Sequence, residues 1–298
     1  MSSVVSTTSK RRRRGRVEPM FYYFLVPALV LFTLCITVPA LMGIYYSFTD
    51  SIGFGEYNFV GLNNYAVLFS DPAIVKSYLF TIGVSLLTVI LVNVIALFLA
   101  IGLTSQIKMR TALRTIFVLP MVVSGIIISF VFQFIFANTV PAAAANMHLP
   151  FLQESILADP KLAWLAIVLV TTWQAVPSAM LIYIAALVTI PNDVYEASAL
   201  DGAHSPQQLM RITLPMISGY VLINVILGFK GFLSMYDIIV GLTNGGPGTS
   251  TRSVAMTIFT GFDTGDYAYQ MANSTIFFII TLAIALIQLR VSRGKAQF

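Results

Sequence analysis

Side chains able to do covalent or metal chemistry are scarce in this sequence. Its 298 residues include one cysteine, Cys35, and two histidines, His148 and His204. A single cysteine excludes an intrachain disulfide and a multi-cysteine metal site, and two histidines exclude a histidine metal cluster. No Ser–His–Asp or Cys–His assembly can be inferred. No stretch matches G-x-x-x-x-G-K-[ST], the backbone cradle for nucleotide phosphates, and the glycine-rich stretches 228–231 and 241–248 lack it. The chain is expected to be no enzyme, with no catalytic residue, cofactor site or metal site of its own. The polar residues that stand out are Asn224, Lys230 and Asp237, in or beside a strongly apolar stretch. Charges at membrane depth are costly and usually face protein or water, so Lys230 and Asp237 are candidates for a solute path, with Asn224 on the same helix as another. The plainer alternative for Lys230 and Asp237 is snorkelling or an interhelical pair. On a continuous helix they would share roughly one face, about 10 Å apart along the axis.

A second constellation lies in 187–215. Pro191 stops or redirects an apolar helix. Asn192 or Asp193 can cap a new one, with Asp193 and Glu196 near its positive end. Val194, Ala197, Ala199 and Leu200 give it a small apolar surface. Gly202 permits a sharp turn. Ser205-Pro206 reads as a helix start with Ser as cap, and Leu209, Met210 and Ile212 supply an apolar stripe before Pro215. The expectation is a helix–turn–helix bracketed by prolines. Arg211 is its one basic residue, which argues against DNA recognition.

The elements that must position these groups follow from composition. Hydrophobic residues make up 57% of the chain and charged residues 10%, against about 25% charged in soluble domains. Mean hydropathy is +0.86. A soluble fold is excluded, and so is disorder, which needs low hydrophobicity. Charge-free stretches cover 19–49, 77–107, 115–153, 162–192, 212–229 and 267–289. A helical crossing needs about 20 mostly apolar residues, and lipid leaves no open backbone satisfied. Six spans are expected, near 21–46, 79–101, 116–136, 163–186, 216–238 and 270–289. After Ala137, the residues Asn138, Pro141, Asn146, His148 and Pro150 read as a loop holding at most a short surface helix. A break near Gly231 is compatible with the fifth span. The fold class is all-α and polytopic.

Lys and Arg set the orientation through the positive-inside bias. With the N-terminus inside, Lys10, Arg11, Arg12, Arg13, Arg14, Arg16, Lys108, Arg110, Arg114, Arg211, Arg290, Arg293 and Lys295 are cytoplasmic, against Lys76, Lys161 and Arg252 outside. Both termini and the 190–215 loop, between spans four and five, are then cytoplasmic, and 241–266 is external. The basic run 10–16 meets anionic headgroups and the bilayer; a nucleic-acid partner is not expected, because no aromatics interleave the run. The first apolar segment is too long for a cleaved signal. Residues 1–18 read as a basic tail without a packed core, 19–290 as the membrane domain and 291–298 as a second tail. Phe48, Phe54, Tyr57, Phe59 and Tyr65 are expected at headgroup level, and Asp71-Pro72 caps the helix leading into the second span.

Glu196-Ala197-Ser198, three residues, Gly202, nine residues, Ile212, one residue, then Leu214-Pro215 resembles the signature loop of binding-protein-dependent ABC importer permeases. The family prefers alanine where Ser198 stands, and often has Trp and Phe where Pro206 and Leu209 stand. Leu181 to Leu187 followed by Ile190-Pro191, and Leu242-Thr-Asn-Gly-Gly-Pro247, resemble the carbohydrate-type branch, on the side of its maltose-F-like and glycerol-phosphate-A-like subunits. The resemblance covers about 20–289. It implies a permease in a prokaryotic cell membrane that forms half of a path for a sugar or polyol. It implies that Glu196, Ala197, Ser198, Asp201, Gly202, Ile212, Leu214 and Pro215 couple it to ATPases. The implied partners are two ATPase subunits, which bind the ATP, a second permease in a heterodimer, and an extracytoplasmic solute-binding protein. An ion-driven secondary transporter and a non-transporting membrane scaffold are the rival readings.

Overall fold

The computed structural model describes residues 19–105 and 107–293. The basic run 10–16 and the tail 1–18 lie outside the described residues, as do 294–298 of the second tail. The described chain is all-helical. Its elements are α1 (Tyr22–Tyr46), α2 (Asn63–Ser70), α3 (Pro72–Thr104), α4 (Arg110–Val118), α5 (Gly125–Asn146), α6 (Ala163–Val188), α7 (Asn192–Leu200), α8 (Ser205–Met216), α9 (Ser218–Leu233), α10 (Asp237–Leu242), α11 (Val254–Asp263) and α12 (Tyr267–Arg293). Among the described residues, five helices are long and apolar enough to cross a membrane, namely α1, α3, α5, α6 and α12; the α8–α9 pair makes a sixth if its 71° bend is counted within one span.

The centre of the bundle is α3 against α6. Ala96, Ala100, Ala166 and Ala186 are fully buried there, with Met180 and Ile167 filling the gaps. Small residues let two backbones approach closely, which is how helices gain contact where apolar burial alone does not drive them together. α9 packs on α3, and α10 on α5. The latter contact is tight: a Cβ at Gly241 would overlap the Ser129 side chain. By contrast α1 buries none of its most apolar stretch within this chain.

Three segments depart from the sequence expectation, and prolines explain two of them. The third span is α5, not 116–136. The chain first rises as α4, breaks at 119–124, and then runs helically through Asn138 and Pro141 to Asn146. A proline lacks an N–H and its ring collides with the carbonyl four residues back. Here residues 135–139 form a wider π turn, with the Val140 N–H donating to the Ile135 carbonyl, so Pro141 enters the next turn without a break. The same device precedes Pro39, where Val38 N–H reaches Thr33, and Pro215, where Leu214 N–H reaches Leu209. Pro215 therefore does not separate α8 from the fifth span; the bend falls after Met216. The fifth span is not a continuous 216–238 helix. α9 stops at Leu233, three residues bridge a gap, and α10 starts at Asp237.

The Asp71 cap is present: its side chain accepts from the Ala73 N–H at 2.8 Å, with Pro72 opening α3. The loop before it folds on itself. Phe48 stacks on Phe59 and packs against Tyr65, and Tyr57 packs on Tyr46. Asp50 accepts from the Asn58 backbone N–H at 2.6 Å, and that bond holds its carboxyl below the usual range.

Candidate functional site

Two places in the bundle carry the candidate residues. The first is the α7–α8 pair. α6 ends at Val188, and Pro191, in extended conformation, takes the cap position of α7. Asn192 and Asp193 thus sit in the first turn instead of capping it. α7 closes at Gly202, whose φ is +81°. The Gly202 N–H donates to Ala199 O at 3.0 Å and the Ala203 N–H to Ser198 O at 2.9 Å. This paired closure requires a left-handed residue, which glycine adopts without steric cost. The cap of α8 is His204, one residue before the Ser205 expected from sequence; its N–H donates to Gln207 Oε1 at 3.1 Å.

A hydrogen-bond clasp ties α7 to α8. Gln208 Nε2 donates to Ser198 Oγ at 2.9 Å and to Tyr195 O at 3.3 Å, and Ser198 Oγ donates to Tyr195 O at 2.9 Å. Tyr195 Oη and Thr213 Oγ1 lie 2.9 Å apart. The π turn at 209–213 brings Thr213 to this face. Tyr195, Gln208 and Thr213 are invisible as a group in the sequence because their pairing depends on that extra residue per turn. Ser198, which departs from the alanine that the sequence resemblance leads one to expect, supplies the acceptor for Gln208. In thermal unfolding, Ser198→Ala and Gln208→Ala are each expected to cost roughly 0.5–1.5 kcal/mol, with the double variant losing less than the two added together. Full additivity would show that the bond contributes nothing.

Outward, the pair is bare. Glu196, Ala197, Asp201, Gly202 and Pro215 are exposed, Ile212 and Leu214 are half-buried, and Leu200 is 90% exposed. The small apolar surface expected on α7 is therefore open, next to two carboxylates.

The second place is an open cavity of about 690 Å³ between α6 and the α4–α5 and α9–α10 breaks. Both helix breaks face it: Met121 and Gly125 come from the α4–α5 break, and Ser234, Met235 and Tyr236 from the α9–α10 break. Irregular backbone at membrane depth persists only where protein or a water-filled cavity satisfies it. Gln174 Nε2 donates to Val123 O at 3.0 Å, and Ser253 Oγ to Met235 O at 3.0 Å, closing both breaks. Thr171, Gln174 and Ser178 recur at helical spacing along one face of α6. Their spacing is readable in the sequence, but the flanking apolar run dominates it and hides the stripe. Aromatic Phe232 and Tyr236 complete the wall.

The solute-path candidates separate. Asn224 and Asp237 both line the cavity. Asn224 is buried, and its Nδ2 donates to Ala179 O at 3.2 Å, tying α9 to α6. Lys230 lies against a different groove of about 360 Å³, with Ser274, Phe277 and Thr281. The one-face relation of Lys230 and Asp237 fails because the helix does not continue between them. After α10 the Thr243–Pro247 turn is held by Thr251, whose Oγ1 donates to Gly246 O at 2.7 Å and lies 2.8 Å from Thr243 Oγ1. Cys35 is exposed, and no grouping of metal-ligating side chains occurs among the described residues.

Residues 92–293 match the family model of the binding-protein-dependent transport system inner membrane component. The chain is 31% identical to the probable starch degradation products transport system permease protein AmyD of Thermoanaerobacterium thermosulfurigenes, over 92% of this chain and 94% of that one. It is 31% identical to the trehalose/maltose transport system permease protein MalF of Thermococcus litoralis, over 97% and 98% of the two chains. Its fold matches a chain of the bacterial ABC transporter that imports the acidic polysaccharide alginate, with a TM-score of 0.79, 20% identity, and coverage of 94% and 97%.

Proposed function

This chain belongs to the family of binding-protein-dependent transport system inner membrane components, and on that premise we propose how its two candidate sites work together. It is a multi-pass permease subunit of a prokaryotic ABC importer. We assign the α7–α8 pair to the cytoplasmic side, along with both termini, in keeping with the Lys and Arg distribution. There it docks on ATPase subunits that bind ATP in trans. The cavity is this chain's half of a path for a sugar or related polyol, completed by a second permease, with solute delivered by an external binding protein. Hydroxylated solutes are held by hydrogen bonds and aromatic faces, and the cavity wall offers both.

The observation that carries this reading is the bare end of α7. Leu200 stands 90% exposed beside a turn closed by two backbone hydrogen bonds and held by the Gln208 clasp. A rigid, uncovered apolar tip transmits displacement from a partner; a flexible one would dissipate it. ATPase closure would then bias the bundle between inward- and outward-open states. Purification of the chain from native membranes tests this. Co-isolation of an ATPase, with uptake that requires ATP, is the expected result. Uptake that follows an ion gradient with no ATPase present would favour a secondary transporter, and an assembly without uptake would favour a scaffold.

A further inference from the structure

We propose that the cavity along α6 selects solutes by charge, admitting neutral and cationic hydroxylated compounds and rejecting sugar acids and phosphates, with Asp237 as the residue that sets this preference. The proposal rests on the transport reading above and adds the charge class of the solute. That class is left open by kinship, since importers of this fold include one for an acidic polysaccharide.

Among the described residues lining the cavity, Asp237 is the one Asp or Glu, and it is exposed. None of these lining residues is a Lys, Arg or His that could hold an anion. The nearby cation in sequence, Lys230, belongs to the other groove.

The other polar groups of the wall are uncharged. The two side-chain amides in the wall each commit an N–H to backbone, Gln174 to Val123 O and Asn224 to Ala179 O. Ser178 donates its hydroxyl to Ala175 O at 2.9 Å, and Thr171 directs its own at Met235 Sδ at 3.6 Å. Each amide keeps a second N–H and its oxygen, and Ser234 and Tyr236 add hydroxyls to the lining. Such a wall pairs with the hydroxyl groups of a neutral solute. A carboxylate or phosphate finds no Lys, Arg or His partner there and meets Asp237 instead. Two like charges about 5 Å apart at an effective dielectric of about 20 repel strongly enough to shift occupancy by roughly a hundredfold. Water in the cavity lowers that toward about tenfold.

The test reads the charge of the cavity without needing the natural solute. In the assembled importer in proteoliposomes, Cys35→Ser removes the one native thiol and Ser178→Cys places a reporter in the wall. Rates of modification are compared for neutral hydroxyethyl, anionic sulfonatoethyl and cationic trimethylammonioethyl methanethiosulfonates, each normalised to a free thiol, with and without ATP. The anionic reagent is expected to lag the neutral one by about tenfold or more; Asp237→Asn should abolish the lag, and Asp237→Glu should keep it. Equal rates in the parent, a lag indifferent to Asp237→Asn, or no modification by the neutral reagent in either state would overturn the proposal. Uptake is measured in the same vesicles. Intact ATP-driven uptake without a lag sinks charge selection alone, whereas a lag without ATP-dependent uptake sinks the transport reading alone.

Discussion

Gly202→Pro is expected to abolish ATP-driven uptake, with membrane insertion intact. The residue sits at φ +81° and donates its N–H to Ala199 O. Proline fixes φ near −65° and has no N–H, so both features of the turn are lost, at about 3 kcal/mol or more. That corresponds to at least roughly a hundredfold loss of the properly closed loop. No atom lies within 4 Å of a Cβ built at this position, so Gly202→Ala meets no steric neighbour and suffers only the left-handed penalty of roughly 1–2 kcal/mol. Its uptake should fall about tenfold, between parent and proline variant. Asparagine, which tolerates this conformation, should fall less. Because Gly202 lies at the exposed end of the bundle, none of these changes touches the α3–α6 core. Normal uptake by Gly202→Pro, measured in proteoliposomes, would remove the turn from the coupling mechanism.

Gly231→Trp is expected to give the complementary phenotype: an importer that binds its ATPases but carries no solute. Gly231 lines the cavity, is exposed, and has no atom within 4 Å of a built Cβ. Gly228, one turn earlier, would meet Phe232 at 3.4 Å. Bulk at 231 therefore enters the cavity without disturbing α9. Uptake should fall at least roughly tenfold, the loss of a contact worth about 1.4 kcal/mol or more, while ATPase co-purifies undiminished. Gly231→Ala should keep uptake, since it adds one methyl and favours the helix by about 1 kcal/mol. Undiminished transport by the tryptophan variant would place the solute path elsewhere.

Much of the scaffold was legible from charge-free length alone, as α1, α3, α6 and α12 show. The turn at Gly202 was legible too, because only glycine suits that conformation cheaply. What resisted was the handling of proline. Pro141 and Pro215 read as stops, yet a π turn before each lets the helix pass. The α9–α10 break carries no proline; it is made by Ser234, Met235 and Tyr236 in a setting where Ser253 satisfies the freed carbonyl of Met235. Once it is present, Lys230 and Asp237 part company, and a relation sound for a continuous helix disappears. The polar stripe of Thr171, Gln174 and Ser178 was plain in spacing, but its meaning appears only when two broken helices face it.

The most direct measurement concerns where the tip of α7 lies and what touches it. With Cys35→Ser as background, Ala203→Cys places a thiol beside the Gly202 turn. Maleimide labelling from each side of sealed vesicles, followed by bifunctional cross-linking, should show reaction from the cytoplasmic side only and a covalent link to an ATPase subunit. Labelling from outside, or an importer fully active in uptake whose introduced thiol never links to an ATPase, would contradict the coupling role.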